Sequence, residues 1–250
     1  MITVDFNRLS VHPGAWILDV GCGSGRHTAA AYQIQDARVM GVDLNLDDLG
    51  EARQRLRFHD RLGAHGGGTW AFGAADVTCL PFNDACIDLV ICSEVLEHIP
   101  DHERAIRELV RVLKPGKPLV VSVPRFFPER VCWALAKDYS QANQGHVRIY
   151  RKKKLIDLLV RAGTHFQGYH HAHSIHTPFW WLKCLIGPTR TDSTLVNLYH
   201  RLLVWDIMQK PWITRLADRL LNPLMGKSLV VYVQKKKGHR RLTPYLGAHY

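Results

Sequence analysis

The sequence lacks a long apolar run, a paired cysteine motif and a recognisable secretory signal. A membrane-spanning helix needs about 18 or more consecutive apolar residues, and no such run occurs among these 250 residues. The first residues also lack the basic region and apolar core that a secretory signal requires. We therefore expect a cytoplasmic protein without a membrane-spanning helix, and association with the inner face of the membrane is left open.

Cysteine motifs are also missing. Six cysteines are present, but none belongs to a C-x-x-C pair of the kind found in structural zinc sites and redox motifs. Most of them lie in or beside predicted strands. We expect buried free thiols in a reducing compartment, and neither a disulfide framework nor a structural zinc is supported.

Acidic residues are scarce in the C-terminal part. Residues 151–250 contain 17 lysines and arginines but only four acids, whereas residues 1–150 contain 16 and 18 respectively. A basic surface attracts anionic partners such as nucleic acid or lipid. The sequence therefore assigns the basic surface to the C-terminal part, and the tail is most simply a solvated basic end.

The most informative stretch is W-I-L-D-V-G-C-G-S-G-R at Trp16–Arg26. Its apolar run predicts a buried parallel strand, its glycines predict a turn whose backbone faces a ligand, and residues 26–35 have helical composition. Strand, glycine turn and helix form the opening unit of a doubly wound nucleotide-binding sheet. The dinucleotide fingerprint G-x-G-x-x-G is not matched, because Gly25 follows Gly23 by only two residues. A plain tight turn is the alternative.

Asp43 ends a second predicted strand at residues 38–42, about twenty residues beyond the glycines. An acid at this position can accept hydrogen bonds from two ribose hydroxyls. The alternative is that Asp43 caps the following helix, a role that Asn45 could serve as well.

Asp76 and Val77 follow a third predicted strand at residues 69–73. There Asp76 would accept a hydrogen bond from the exocyclic amine of an adenine, and the Val77 backbone N–H would reach a ring nitrogen. The alternative is an ordinary acid in a turn. Further predicted elements are a strand at 86–92, a helix at 101–113 and a strand at 118–123.

Taken in order, several segments resemble the class I S-adenosylmethionine-dependent methyltransferases, in particular the type 11 group. The segments are D-V-G-C-G-S-G, A-D-V-x-x-L-P-F, C-I-D-L-V-I-C, S-E-V-L-E-H-I and R-E-L-V-R-V-L-K-P-G-K-P-L. The resemblance covers roughly residues 15–163. It implies an α/β, doubly wound, mostly parallel seven-stranded sheet whose last strand runs antiparallel, the Rossmann-like methyltransferase fold.

The resemblance also implies S-adenosyl-L-methionine as the cofactor. The residues it assigns to the methionine part, the ribose and the adenine are, in that order, Asp19, Gly21 and Gly23, then Asp43, then Asp76 with Val77. We expect one methyltransferase domain over residues 1–250. Its parts are a lead-in at 1–14, a cofactor-binding core at 15–163, a hairpin at 164–235 with a helical, Trp-rich insertion at about 174–227, and a basic tail at 236–250.

Candidate catalytic residues follow the fourth predicted strand, where open α/β sheets place their ligand crevice. On a helical turn, Glu94 would face the same way as Glu97 or His98. We name His98, Glu94 and His146 as the catalytic candidates, with His98 as a base or orienting residue. Ubiquinone-type O-methyltransferases and small-RNA 2′-O-methyltransferases, two related groups, use an E-x-x-E-H segment to bind a divalent metal. Glu94, Glu97 and His98 are the metal candidates here, with His146 able to add a nitrogen, but a metal is not expected.

His146 begins the segment H-V-R-I-Y, which also contains Arg148 and Tyr150. In relatives with a similar H-x-R-x-Y segment, this loop borders the acceptor pocket. A structural salt bridge from Arg148 to the edge of the sheet is the alternative.

The insertion holds four of the seven tryptophans, interleaved with basic residues. The four are Trp180, Trp181, Trp205 and Trp212. Tryptophans with cations suit a membrane interface, or a lid over a lipophilic acceptor. The alternative is that the aromatics pack the added helices onto the sheet. Among the histidines nearby, His173 or His176 is a candidate to face the pocket.

These observations favour methyl transfer to a small, lipophilic acceptor, with O-methylation ahead of C- or N-methylation. One alternative is an RNA methyltransferase that uses the basic C-terminal surface. The other is a catalytically silent, cofactor-binding partner subunit. The sequence does not predict the oligomeric state.

Overall fold

The structure is a computed structural model that describes residues 1–136, 146–187, 189–209 and 211–238. Its seven strands form one sheet in the order β3-β2-β1-β4-β5-β7-β6. The strands are β1 (Trp16–Val20), β2 (Arg38–Asp43), β3 (Thr69–Ala74), β4 (Leu89–Ser93), β5 (Pro118–Pro124), β6 (Thr164–Ala172) and β7 (Ser228–Lys235). Strand β7 is antiparallel to both of its neighbours, and the other pairs are parallel. The predicted α/β fold with an antiparallel last strand is confirmed.

Eight α-helices lie within the described residues. They are α1 (Arg26–Ala31), α2 (Leu46–Arg61), α3 (His102–Val112), α4 (Phe126–Leu135), α5 (Lys152–Arg161), α6 (His176–Ile186), α7 (Thr194–Gln209) and α8 (Trp212–Met225). Helix α1 is shorter than predicted. Asp36, with φ of 54°, lies in the turn where the chain changes direction to enter β2.

The helices cover both faces of the sheet, so the central strands are apolar on both sides. On one face, Leu18 of β1 belongs to the same buried cluster as Ile106 of α3 and Leu155 of α5. On the other face, Ile17 belongs to a cluster that includes Leu56 of α2. Adjacent residues of β1 therefore serve opposite halves of the core, as the alternation of a strand requires.

All six cysteines are free. The expectation of buried thiols holds for Cys22, Cys92, Cys132 and Cys184, whereas Cys79 is exposed.

Helices α6, α7 and α8 connect β6 to β7, which confirms a helical, Trp-rich insertion before the last strand. Helix α6 packs against α4, where Trp181 donates a hydrogen bond from Nε1 to the carbonyl of Pro128 at 3.1 Å. Within the described residues, no helix is both long and apolar enough to cross a membrane. Most of the predicted basic tail, residues 239–250, lies outside the described residues.

The carboxyl ends of the central strands meet at one edge. Val20 of β1 lies opposite Val42 of β2 and Cys92 of β4, and Ser93 lies opposite Ser122 of β5. The loops that follow β1, β2 and β4 therefore project side by side from this edge, where open α/β sheets bind their ligands.

Candidate active site

The glycine loop after β1 is held against β2. The backbone N–H groups of Gly21 and Cys22 both donate to the Val42 carbonyl, at 2.8 and 3.0 Å. Gly21 has φ of 66°, and a Cβ there would lie 2.2 Å from Cγ2 of Val95. Only glycine fits this position, because a side chain would meet both a strained backbone and a neighbouring side chain.

Gly23 has a different reason to be glycine. Its φ is 48°, but no heavy atom lies within 4 Å of the place a Cβ would occupy. That direction is open space, and Gly23 lines a cleft at this edge of the sheet. A side chain at Gly23 would therefore project into the cleft and not into the protein.

Asp43 joins the loop to the end of β2. Its Oδ2 accepts from the Gly23 N–H at 2.8 Å, and its Oδ1 accepts from the Asn45 N–H at 2.9 Å. The Asn45 side chain accepts from the backbone of Asp47 and Asp48 and so caps α2. Asn45 therefore serves as the helix cap, which leaves Asp43 beside the glycine loop. The assignment of this loop to the methionine part and of Asp43 to the ribose stays a prediction.

Asp19 lies beneath the loop and does not line the cleft. It is 1% exposed, and its Oδ2 accepts from Thr28 Oγ1 at 2.6 Å. Burial raises the pKa of Asp19 to about 6, although the Thr28 hydrogen bond acts in the opposite direction. Its observed contact is with α1, so a direct role in binding methionine stays a prediction.

Asp76 and Val77 lie at the end of β3, next to β2. Asp76 is exposed, and its Oδ1 accepts from the backbone and hydroxyl of Thr78 at 2.7 and 2.8 Å, while Val77 is buried. The backbone N–H of Ala75 donates to the Asp43 carbonyl at 3.3 Å, so the two acids share one edge of the sheet. Their assignment to the adenine stays a prediction.

A cleft of about 350 Å³ opens at the strand ends. It brings the glycine loop together with the predicted catalytic group: Gly21, Gly23, Glu94, Glu97, His98 and His146. Residues separated by more than 120 positions in the sequence thus face one space. This volume is within the range of small-molecule sites.

The segment after β4 is a turn and not the predicted helical turn. Glu94 has φ of 56°, and its N–H donates to the Ser122 carbonyl at 2.9 Å. The Ser122 hydroxyl donates back to Oε1 of Glu94 at 3.0 Å. These two bonds hold the left-handed residue beside β5, so Glu94 faces the cleft without a helix.

Glu97 is the most unusual acid in the cleft. It is 1% exposed, and neither carboxyl oxygen has a hydrogen-bond partner among the described residues. Burial, and then the nearby Glu94 carboxyl, raise the pKa of Glu97 well above its ordinary value. Nε2 of His98 lies 3.9 Å from Oε1 of Glu97. A buried acid of this kind is typical of a site that binds or moves a proton.

His146 extends the group to α4. Its Nδ1 lies 2.7 Å from Oε1 of Glu129, and the rings of His98 and His146 are 4.6 Å apart between centroids. One ligand atom from each of Glu97, His98 and His146 lies within 4.8 Å of the others. A carboxylate and two imidazoles can hold a divalent cation. Glu94, a predicted metal candidate, is not in this set.

The segment around Arg148 holds the cleft loop in place. The Arg148 guanidinium donates to the carbonyls of Leu96 at 2.9 Å, Pro100 at 2.7 Å and Ile99. These partners are backbone carbonyls, and not the carboxylate that the salt-bridge alternative needs. The H-x-R-x-Y segment therefore fixes the turn that carries Glu97 and His98.

Sequence reasoning missed Lys227, which lines the cleft just before β7. Burial lowers the pKa of the Lys227 ammonium, and Glu94 acts in the opposite direction. Its Nζ lies 4.2 Å from the centroid of the Trp180 ring. Because β7 is antiparallel, its first residue meets the carboxyl end of β5, with Ser228 opposite Pro124. That register is the signal that could have located Lys227.

The prediction that His173 or His176 faces the cleft is wrong. His173 and His176 contact each other with ring centroids 5.6 Å apart, and neither is among the residues that line the cleft. Burial lowers the pKa of His173 to about 3, so the ring is neutral at physiological pH.

The similarity to known proteins includes the glycine loop and the strands that carry the cleft. The family described as "Methyltransferase domain" matches residues 18–121. The resemblance to class I S-adenosylmethionine-dependent methyltransferases is confirmed.

The curated relatives align with part of this chain and with part of their own length. Methyltransferase GfsG of Streptomyces halstedii is 34% identical over 120 residues, 47% of this chain and 40% of the relative. O-methyltransferase cnsE of Penicillium expansum is 37% identical over 115 residues, 46% of this chain and 40% of the relative. The chain thus spans about two fifths of these relatives.

Among solved structures, geranyl diphosphate methyltransferase in complex with SAM is similar, with a TM-score of 0.61 and 14% identity over 92% of this chain and 82% of that one. This similarity supports the fold of the chain, including the part beyond residue 121.

Proposed function

We propose that the protein transfers a methyl group from S-adenosylmethionine to a small, lipophilic acceptor, with a hydroxyl oxygen as the favoured site. The observation that carries this proposal is the shared cleft: the open face of Gly23 and the imidazole of His98 line the same space. O-methyltransferases among the relatives support the choice of oxygen.

In the proposed cofactor site, the glycine loop and Asp43 are already joined by the hydrogen bond from the Gly23 N–H to Asp43 Oδ2. Gly21 and Gly23 expose backbone to the methionine part, and Asp43 accepts hydrogen bonds from the ribose. Asp76 and Val77 bind the adenine. S-adenosylmethionine supplies an activated methyl group when bound, so the protein has mainly to align the acceptor and exclude water.

His98 is the proposed base. Its side chain is 27% exposed and lines the cleft, whereas Glu97 behind it is 1% exposed. The imidazole would take the proton that the acceptor hydroxyl loses when its oxygen bonds the methyl carbon and the bond from that carbon to the donor sulfur breaks. Glu97 lies behind the imidazole, with its Oε1 3.9 Å from Nε2, and burial raises the pKa of its carboxyl, so this acid can hold a proton beside His98.

Glu94, His146 and Glu129 position this pair. Glu129 holds the His146 imidazole at 2.7 Å, and His146 packs against the His98 ring. Glu94 is fixed by Ser122 and faces the same cleft. We therefore place His98 in contact with the acceptor and treat His146 and Glu94 as positioning residues.

The variant His98→Asn tests the base. We expect kcat to fall about a hundredfold, which is the lower range for loss of a general base. The dissociation constant of S-adenosylhomocysteine should stay within a factor of two or so, because His98 is assigned to the acceptor side. His65→Asn is the control, since His65 is an exposed loop residue and should leave both quantities unchanged.

The assay uses methyl-labelled S-adenosylmethionine with an organic-solvent extract and an RNA fraction from cells. We expect label in the organic-solvent products. Label in RNA alone would favour the RNA alternative. Tight cofactor binding without any labelled product would favour the silent partner subunit.

Binding of a divalent cation is a second candidate role for the group formed by Glu97, His98 and His146, beside the role of His98 as a base. The unpartnered Glu97 carboxyl favours it, because a buried carboxylate needs a proton, a donor or a cation. Dialysis against EDTA distinguishes the role as a base from the role as a cation site. The base needs no metal, so activity should survive dialysis against EDTA, whereas a required cation predicts loss of activity and recovery with Mn²⁺ or Mg²⁺.

A further inference from the structure

Helix α8 turns polar side chains toward the protein and apolar side chains toward solvent. The acid Asp218 faces the protein, where its Oδ1 accepts from Ser174 Oγ at 2.6 Å and from the Ile175 N–H at 3.1 Å. One turn later, Asn222 Oδ1 accepts from the Ser174 N–H at 2.9 Å. The polar face of this amphipathic helix is therefore its inner face.

The apolar face of α8 points outward. Trp212, Leu216, Leu220 and Leu224 are 72, 46, 65 and 70% exposed. Their spacing of four residues places them within an arc of about 120° on a helix with 3.6 residues per turn. No residue of α8 is buried. An amphipathic surface helix of a soluble protein has the reverse arrangement.

Helix α7 shows a second apolar stripe. Leu195, Leu198, Leu202 and Trp205 are 56, 62, 44 and 47% exposed, at spacings of three and four residues. The one acid of this helix, Asp206, is buried. Two consecutive helices therefore expose leucines and a tryptophan each, which is more apolar surface than single scattered side chains explain.

The charges on α7 and α8 indicate which kind of partner would bind this apolar surface. Arg201, Arg215 and Arg219 are exposed, whereas both acids, Asp206 and Asp218, are turned inward. In the described parts of α7 and α8, the exposed formal charges are therefore all positive. An apolar face edged by arginines and carrying tryptophans matches a bilayer interface, where rings lie at headgroup depth and cations meet anionic lipid.

We propose that α7 and α8 dock on the surface of an anionic lipid bilayer, with the leucine stripes inserted at the interface and the arginines on the headgroups. The helices lie on the membrane and do not span it. A second copy of this chain fits less well, because a two-fold interface through α8 would bring like-charged arginines together.

The docking surface connects to the cleft through the chain. Helix α8 ends at Met225, and Lys227, two residues later, lines the cleft. If the proposed methyl transfer is correct, a docked bilayer places the source of a lipophilic acceptor beside the active site. The docking itself does not depend on that transfer and is measured without it.

Vesicle flotation tests the docking surface. We expect the protein to float with vesicles of phosphatidylglycerol and phosphatidylcholine in equal parts, and to float less with phosphatidylcholine alone. Leu220→Ser should weaken partitioning about tenfold, since a leucine is removed from the inserted face. Arg215→Gln combined with Arg219→Gln should weaken binding to the anionic vesicles about thirtyfold.

Leu62→Ser is the matched control. Leu62 is 64% exposed at the end of α2, against 65% for Leu220, and it should float like the wild type. Both leucines are exposed, so thermal unfolding should show that both variants fold.

Three results would overturn the proposal: no flotation of the wild type on anionic vesicles, equal flotation of the Leu220→Ser variant, or an RNA mobility shift in place of lipid binding. A dimer that Leu220→Ser dissociates, without flotation, would instead assign the face to a second copy of the chain.

Discussion

At the scale of single residues, two glycines of one loop are required for opposite reasons. Gly21 has no space for a Cβ, because Val95 would lie 2.2 Å away, whereas Gly23 has open space in front of it. The motif G-x-G-x-G in the sequence does not distinguish these two reasons. Both glycines line the cleft, but a substitution at Gly23 changes the cleft alone, whereas one at Gly21 also collides with Val95.

Asp19 allows a prediction of pH-dependent stability. Burial raises its pKa from an ordinary 3.8 to about 6 in the folded state. The folded protein therefore binds this proton more tightly than the unfolded chain, and the associated stability is present below about pH 4 and is lost as the pH rises to about 6. Asp19→Asn cannot ionise and avoids this loss.

We expect the free energy of unfolding of Asp19→Asn, relative to wild type, to increase by about 2 kcal/mol from pH 4 to pH 7. Urea unfolding at a series of pH values measures it. A difference that does not vary with pH would contradict the assigned burial of the carboxylate.

At the scale of elements, the cleft depends on the contact between two loops. The Arg148 guanidinium bonds three carbonyls of the turn after β4, and Tyr150 is buried beside it. Neither segment has regular structure that would hold it alone. The position of the turn that carries Glu97 and His98 is therefore set by a residue some fifty positions later in the chain.

Arg148→Ala should lower the free energy of unfolding by about 2 kcal/mol, because several partly buried carbonyls lose a charged donor. Arg107→Ala is the control: its ion pair with Glu103 is long and exposed, and its loss should cost less than about 0.5 kcal/mol. Chemical denaturation compares the two. Equal effects would mean that Arg148 has no special role in holding the turn.

Many of the strands and helices can be predicted from local sequence, but the contacts between them cannot. The apolar run at Trp16–Val20 and the antiparallel pair of β6 and β7 were predicted because strand composition and the family resemblance agree there. The turn at Glu94 was not, since its left-handed backbone is stabilised by Ser122 on another strand. Glu129 was missed because α4, which carries it, was not predicted.

At the scale of the whole molecule, the Trp-rich insertion shows a similar limit. A periodic apolar stripe normally predicts the face that packs on the core, but in α8 that stripe is exposed and the polar face is anchored on Ser174. Pattern alone cannot tell which side of a helix meets the protein. The inward hydrogen bonds of Asp218 and Asn222 decide it, and they are visible only in three dimensions.

The fold as a whole brings together residues that the sequence separates. The glycine loop, the turn after β4, His146 and Lys227 meet in one cleft because the central strands end at a common edge and β7 begins there. The central claim is that this edge binds S-adenosylmethionine through the glycine loop and Asp43.

Isothermal titration calorimetry with S-adenosylhomocysteine tests that claim most directly. We expect one site per chain, at least about tenfold weaker binding for Gly23→Ala, and unchanged binding for Gly14→Ala. Gly14 matches Gly23 in its left-handed φ of 74° and in having nothing within 4 Å of its Cβ direction, but it lies outside the cleft. Absence of binding by the wild type, together with binding of a nicotinamide dinucleotide, would contradict the account.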